Sequence, residues 1–175
     1  AASRRAVGTG VMGGMIAAEM AAVAPRQIDK LALIAPAGLW LDRHPIPDIF
    51  AMLPFELPPV LFHDVALGTK LLTAGLDLDD AAFLQDFLIR NAKQLGMAGK
   101  ILFPVPERGL PARLYRVRAK TVVIWGESDR LIVPAYGEAF VEQIRGAELV
   151  RVPAAGHMVT LEQPAAVVEA IARVA

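Results

Sequence analysis

Two short loops near the C-terminus each carry a side chain that can do proton chemistry. Asp129 follows the apolar run Val122-Val123-Ile124-Trp125 by way of Gly126-Glu127-Ser128, and His157 follows Val152 by way of Pro153-Ala154-Ala155-Gly156. A carboxylate that holds one ring nitrogen of a histidine leaves the other nitrogen free to take a proton from a hydroxyl group. That is the division of labour in a nucleophile–base–acid triad. Taken alone, Asp129 reads first as a turn aspartate bonded to its own backbone, and its context raises the other reading. Candidates for the nucleophile are few, because the chain has no cysteine and its two serines are Ser3 and Ser128.

The elements that would position these loops alternate in type. Residues 4 to 35 read as the end of a strand, a glycine-rich turn at Gly8-Thr9-Gly10-Val11-Met12-Gly13-Gly14, a helix over Gly13–Ala24 stopped by Pro25, and a strand at Leu31–Ala35. From Lys120 onward the pattern gives a strand at Thr121–Trp125, a helix over Ala135–Arg145, a strand at Glu148–Val152 and a helix over Pro164–Ala175. Continuous apolar strands separated by helices predict a mostly parallel α/β sheet buried on both faces. Functional groups of such sheets gather where loops leave the carboxyl ends of the strands.

Between these halves the composition changes. Residues 36–118 hold nine of the thirteen prolines, which excludes long helices from much of that stretch. One helix is expected there, from Asp79-Asp80 to about Leu95, with Phe83, Phe87, Leu88 and Leu95 apolar and the aspartates at its N-terminal dipole. The segment reads as an inserted helical cap.

Composition narrows the function classes. The 175 residues suffice for one domain; 55% are hydrophobic and 21% charged, which implies several buried elements. Net charge is zero with basic residues scattered, so nucleic acid is not an expected partner. Three separated histidines, His44, His63 and His157, share no metal-ligand spacing, and no metal is expected. Arg4-Arg5 and the apolar residues up to Ala24 imitate a signal peptide or a membrane span. Glu19 and four glycines inside that run argue against both, and a cytoplasmic location is expected.

The run from Val122 through Trp125-Gly126-Glu127-Ser128-Asp129-Arg130-Leu131-Ile132-Val133-Pro134, then Gly156-His157-Met158 and Leu161-Glu162-Gln163-Pro164, resembles the acid and base segments of the α/β-hydrolase family. Gly13-Gly14-Met15-Ile16-Ala17 resembles the helix start after that family's nucleophile elbow, and Arg113–Val117 the return from cap to sheet. The resemblance implies a partial α/β-hydrolase fold, with residues 1–38 and 116–175 as core and 39–115 as cap. It also implies Asp129 as acid, His157 as base, hydrolysis of an ester-like or related bond, and no cofactor. Phe50, Met52, Leu53, Phe55, Leu57, Val60, Leu61 and Phe62 suggest a small apolar substrate, or serve to pack the cap onto the sheet.

The elbow departs from the family pattern. Aligning Met12-Gly13-Gly14 with the family's continuation puts Val11 at the nucleophile position, where an isopropyl group cannot attack; Gly10 or Thr9 enters only by a shift of register. Met12 would still offer its backbone N–H to an oxyanion. The early strands of the family are expected to be absent, which points to an incomplete chain whose first strand could self-associate through an exposed edge. Two other readings compete: a ligand-binding pseudo-hydrolase, and a nucleotide-binding protein using Gly8-Thr9-Gly10-Val11-Met12-Gly13. The latter needs an acidic residue at the end of the next strand, and Asp29 stands before that strand.

Overall fold

The computed structural model describes the backbone of residues 5–75, 80–102 and 109–174, and the side chains of all of these except 5–11, 101 and 102. Ser3, Arg4, Asp79 and Ala175 of the expectations above lie outside the described residues, as do the side chains of Thr9 and Val11.

Strands β1 (Arg5–Thr9), β2 (Lys30–Ile34), β3 (Lys120–Gly126) and β4 (Glu148–Val152) form a parallel sheet in the order β1-β2-β3-β4. Ala32 pairs with Val7 on one side and Val122 on the other, and Ile124 with Val150. Since all four strands point the same way, their carboxyl ends share one edge of the sheet.

Alternation along the central strands builds two cores. Leu31, Leu33, Val123 and Trp125 face Ala17, Ala18, Ala21 and Ala22 of α1 (Gly10–Val23) together with Tyr136 and Phe140 of α6 (Ala135–Gln143). Ala32, Ile34, Val122 and Ile124 face Val159 of α7 (Val159–Glu162) and Val167 and Ala170 of α8 (Pro164–Ala172). Two-sided burial explains why the central strands read as unbroken apolar runs. Tyr136 ties α6 to the segment after β2: its hydroxyl donates to the His44 carbonyl at 2.7 Å and accepts from the Leu41 amide at 3.1 Å. Burial, the larger effect, pushes its phenol above the ordinary tyrosine value of 10.0, and the nearby Asp42 charge adds to this against the lowering effect of the Leu41 bond.

Several boundaries differ from the sequence expectation. α1 begins at Gly10, directly after β1, so the expected glycine-rich turn is the helix's own first turn. Glycine's low helix propensity suggested a later start, and packing across the sheet outweighs it. Gly14 serves that packing, because a Cβ there would come within 2.6 Å of the Pro36 side chain. α6 ends at Gln143 instead of Arg145, and α7 was not expected.

Between β2 and β3 the expectation of a single helix is corrected. A 3-10 turn at Pro54–Glu56 leads into α2 (Leu57–Leu61) and α3 (Val65–Leu72), and α5 (Pro111–Leu114) precedes β3. Prolines in the first turn of α2 and α5 cost no hydrogen bond, so proline density did not forbid short helices. Asp64 caps α3 by accepting from the Leu67 amide at 3.0 Å. α4 (Ala81–Leu102) starts where Asp80 accepts from the amides of Ala82 and Phe83, but runs past Leu95 through Gly96 and Gly99. Among the described residues no helix is long and apolar enough to cross a membrane.

Candidate active site

β3 delivers Asp129 into a tight turn at its carboxyl end. Asp129 Oδ1 accepts from the amides of Leu131 and Ile132, each at 2.9 Å, and the indole of Trp125 donates to the Ile132 carbonyl at 2.8 Å. The turn reading of this aspartate is therefore correct for one oxygen. The other oxygen, Oδ2, lies 2.8 Å from His157 Nδ1.

His157 arrives from β4 through a loop woven into the Asp129 turn. Glu127 donates its amide to the Val152 carbonyl and Ser128 its amide to that of Ala155, both at 2.9 Å. Ala154, left-handed at φ 49°, reverses the chain just before Gly156. The His157 and Asp129 side chains are 3% and 0% exposed. Where the carboxylate is ionised and the imidazole neutral, the shared proton sits on Nδ1 and the lone pair is on Nε2. Nε2 is buried and has no hydrogen-bond partner among the described residues. A buried acceptor without a partner carries an energetic cost, and functional sites are where such costs are tolerated.

Residues 59–64 form a strap across both loops. The Met158 amide donates to the Leu61 carbonyl at 3.1 Å, Arg130 donates to the Pro59 carbonyl at 2.8 Å, and His63 Nδ1 meets Ser128 Oγ at 2.8 Å. Glu162 Oε1 accepts from the amides of His63 and Asp64, and Oε2 from that of Gly156. The layers approach this closely because they are bare. A Cβ at Gly156 would fall 2.7 Å from the Leu61 carbonyl oxygen, and one at Gly126 would collide with the Gly156 carbonyl.

The structure brings Asp129 and His157 together. Val11 and Met12 lie in the first turn of α1, where backbone N–H groups have no intrahelical acceptor. Gly8 and Thr9 end β1 and Gly10 opens α1, but β2 ends at Ile34-Ala35-Pro36 without the acid that the dinucleotide reading needs. His44 and His63 are both exposed, and His63 reaches Ser128 rather than the Asp129–His157 pair. Among the described residues no group of three or more metal-ligating side chains converges. Neither Glu162 nor the His63–Ser128 contact was singled out from the sequence, since bonds between remote loops follow no period.

The apolar residues of 50–62 divide. Phe50, Met52 and Leu53 line a cavity of about 790 Å³ with Leu88, Leu95 and Lys100 of α4, whereas Leu57 and Phe62 are buried. None of the cavity's described lining residues belongs to the loops of Asp129 and His157.

Comparison with known proteins points one way. A family model described as "Alpha/beta hydrolase family" matches residues 2–170. A 2-hydroxy-6-oxononadienedioate/2-hydroxy-6-oxononatrienedioate hydrolase of Comamonas testosteroni is 27% identical over 159 residues, 83% of this chain and 54% of that protein. Lipase 3 of a Moraxella species is 26% identical over 181 residues, 92% of this chain and 52% of its own length. The chain thus spans about half the length of the curated relatives it matches. The solved 2-hydroxy-6-oxo-6-phenylhexa-2,4-dienoate hydrolase of a Rhodococcus species superposes with a TM-score of 0.68 at 21% identity, over 95% of this chain and 62% of that one. An enol-lactonase from Burkholderia xenovorans gives a TM-score of 0.68 at 19% identity, over 98% and 65%. These two superpositions establish likeness of fold.

Proposed function

The chain belongs to the alpha/beta hydrolase family, and from that premise we propose that it carries the acid and base of a nucleophile–histidine–aspartate hydrolase acting on a small apolar ester-like or related substrate. One observation carries this reading: His157 is buried, its Nδ1 is on Asp129, and its Nε2 has no partner among the described residues. In the proposed reaction Nε2 takes the proton of a nucleophilic hydroxyl as that hydroxyl attacks the substrate carbonyl, then returns it to the leaving group. Asp129 holds the imidazole in the required tautomer and stabilises the imidazolium. In the same proposal the Met12 N–H, in the first turn of α1, receives the oxyanion. Residues 39–115 act as the cap over a core of residues 1–38 and 116–175, and the apolar cavity between Phe50 and α4 supports an apolar substrate. β1 pairs on one side only among the described residues, which supports self-association through that edge.

Val11 favours a second reading. Without a nucleophilic atom at that position, the same pair binds a ligand hydroxyl at Nε2 and turns nothing over. Val11→Ser separates the two. Under the hydrolase reading this variant takes up a fluorophosphonate probe and cleaves p-nitrophenyl butyrate, and His157→Ala on the same background lowers turnover about a hundredfold or more. Ser128→Ala throughout keeps the other hydroxyl, which touches an imidazole, from contributing. Absence of labelling and turnover in folded Val11→Ser would leave the binding reading.

A further inference from the structure

Glu162 is the point at which the strap and the histidine loop meet. Its Oε1 takes the amide protons of His63 at 2.8 Å and Asp64 at 2.9 Å, and its Oε2 takes that of Gly156, the residue before His157, at 2.6 Å. Hydrogen bonds to an ionised acceptor are shorter and stronger than neutral ones, and three share this carboxylate. Glu162 sits on the one-turn helix α7, whose first residue, Val159, is buried in the core against β2 and β3. The carboxylate therefore hangs from a fixed base and reaches two loops at once.

We propose that Glu162 is a positioning residue: by joining the amides of residues 63 and 64 to that of Gly156, it sets where the His157 imidazole stands relative to Asp129. The proposal rests on the reading of His157 as a base held by Asp129. It requires both oxygens. A glutamine offers one acceptor oxygen and an NH2 group, so on one side or the other an N–H would face an N–H.

The test is NMR on the labelled full chain, following solvent exchange of the His157 Nδ1 proton and of the amides of His63, Asp64 and Gly156. Glu162→Ala is expected to speed all four by about tenfold or more while β3 amides and the circular dichroism stay as in the parent. Glu162→Gln is expected to free one side only, with the Nδ1 proton exchanging at an intermediate rate. An unchanged Nδ1 proton in folded Glu162→Ala would overturn the proposal, and so would uniform acceleration that includes β3. If the alanine variant fails to fold, the glutamine variant decides, and parent-like exchange at all three amides overturns the two-oxygen claim. Asp129→Asn checks the underlying reading separately. Loss of the slow Nδ1 proton there, without any effect of Glu162, sinks the positioning role alone; persistence of that proton sinks the acid–base pair itself.

Discussion

The strand β3 and the helix α4 are both apolar-rich and regular, yet the molecule treats them oppositely. Six of the seven residues of β3 are buried, whereas none of α4's described side chains is. The Asp129–His157 pair hangs from the first: in the turn that ends β3, Asp129 accepts two hydrogen bonds, from the amides of Leu131 and Ile132, and the Trp125 indole ties Ile132 back to the strand. The second lines a cavity and leaves Leu88, Ile89 and Met97 largely exposed. The difference teaches that a buried, hydrogen-bonded pair such as Asp129 and His157 stands on a scaffold with no slack, while the walls of an open cavity need none.

That contrast can be broken by mutation. Trp125→Ala, fully buried near the carboxyl end of β3 and against Phe140, should cost about 3–5 kcal/mol in urea unfolding, since it opens a cavity and removes the bond to Ile132. A cost near zero would mean that β3 is not the rigid reference. Tyr136, which bridges the sheet to the segment after β2, sharpens the comparison. Tyr136→Phe should cost about 1 kcal/mol near neutral pH. Its raised pKa also sets the sign of a pH effect: the folded chain keeps the phenol neutral while the unfolded chain ionises from 10.0 upward. The hydroxyl's contribution is thus full below that pH and shrinks as pH rises toward the folded value, so the stability gap between parent and variant should narrow in alkali. A gap that widens would contradict it. Leu88→Ala on α4 should change stability by less than about 0.5 kcal/mol. A loss comparable to that at Trp125 would show α4 to be as firmly packed as the sheet.

Legibility followed the same divide. β2 and β3 were readable to within a residue or two because burial on both faces writes them as continuous apolar runs, whereas β4, of which only Val152 is buried, kept its expected bounds without that signal. The Asp129 and His157 loops were readable because their flanking residues resemble a known family. The start of α1 was misplaced because glycines at 10, 13 and 14 lower helix propensity at a site where packing decides. α3 stands in a proline-rich stretch where the Asp64 cap is the main helix signal, and α4 continues through glycines whose low helix propensity marks an earlier end. Glu162 was invisible as a joint, since its three partners become neighbours only after the chain has folded.

The nesting of Gly126, Gly156 and the strap also bears on how this site could be re-engineered. Three main chains pass with no side chain between them, so a displacement of one is transmitted to the next with nothing to absorb it. Loop grafting or insertion at residues 59–64, 126–129 or 154–158 would act as a change to all three at once. A library of variants should therefore vary the residues around the cavity on α4 and leave this stack of bare backbone untouched.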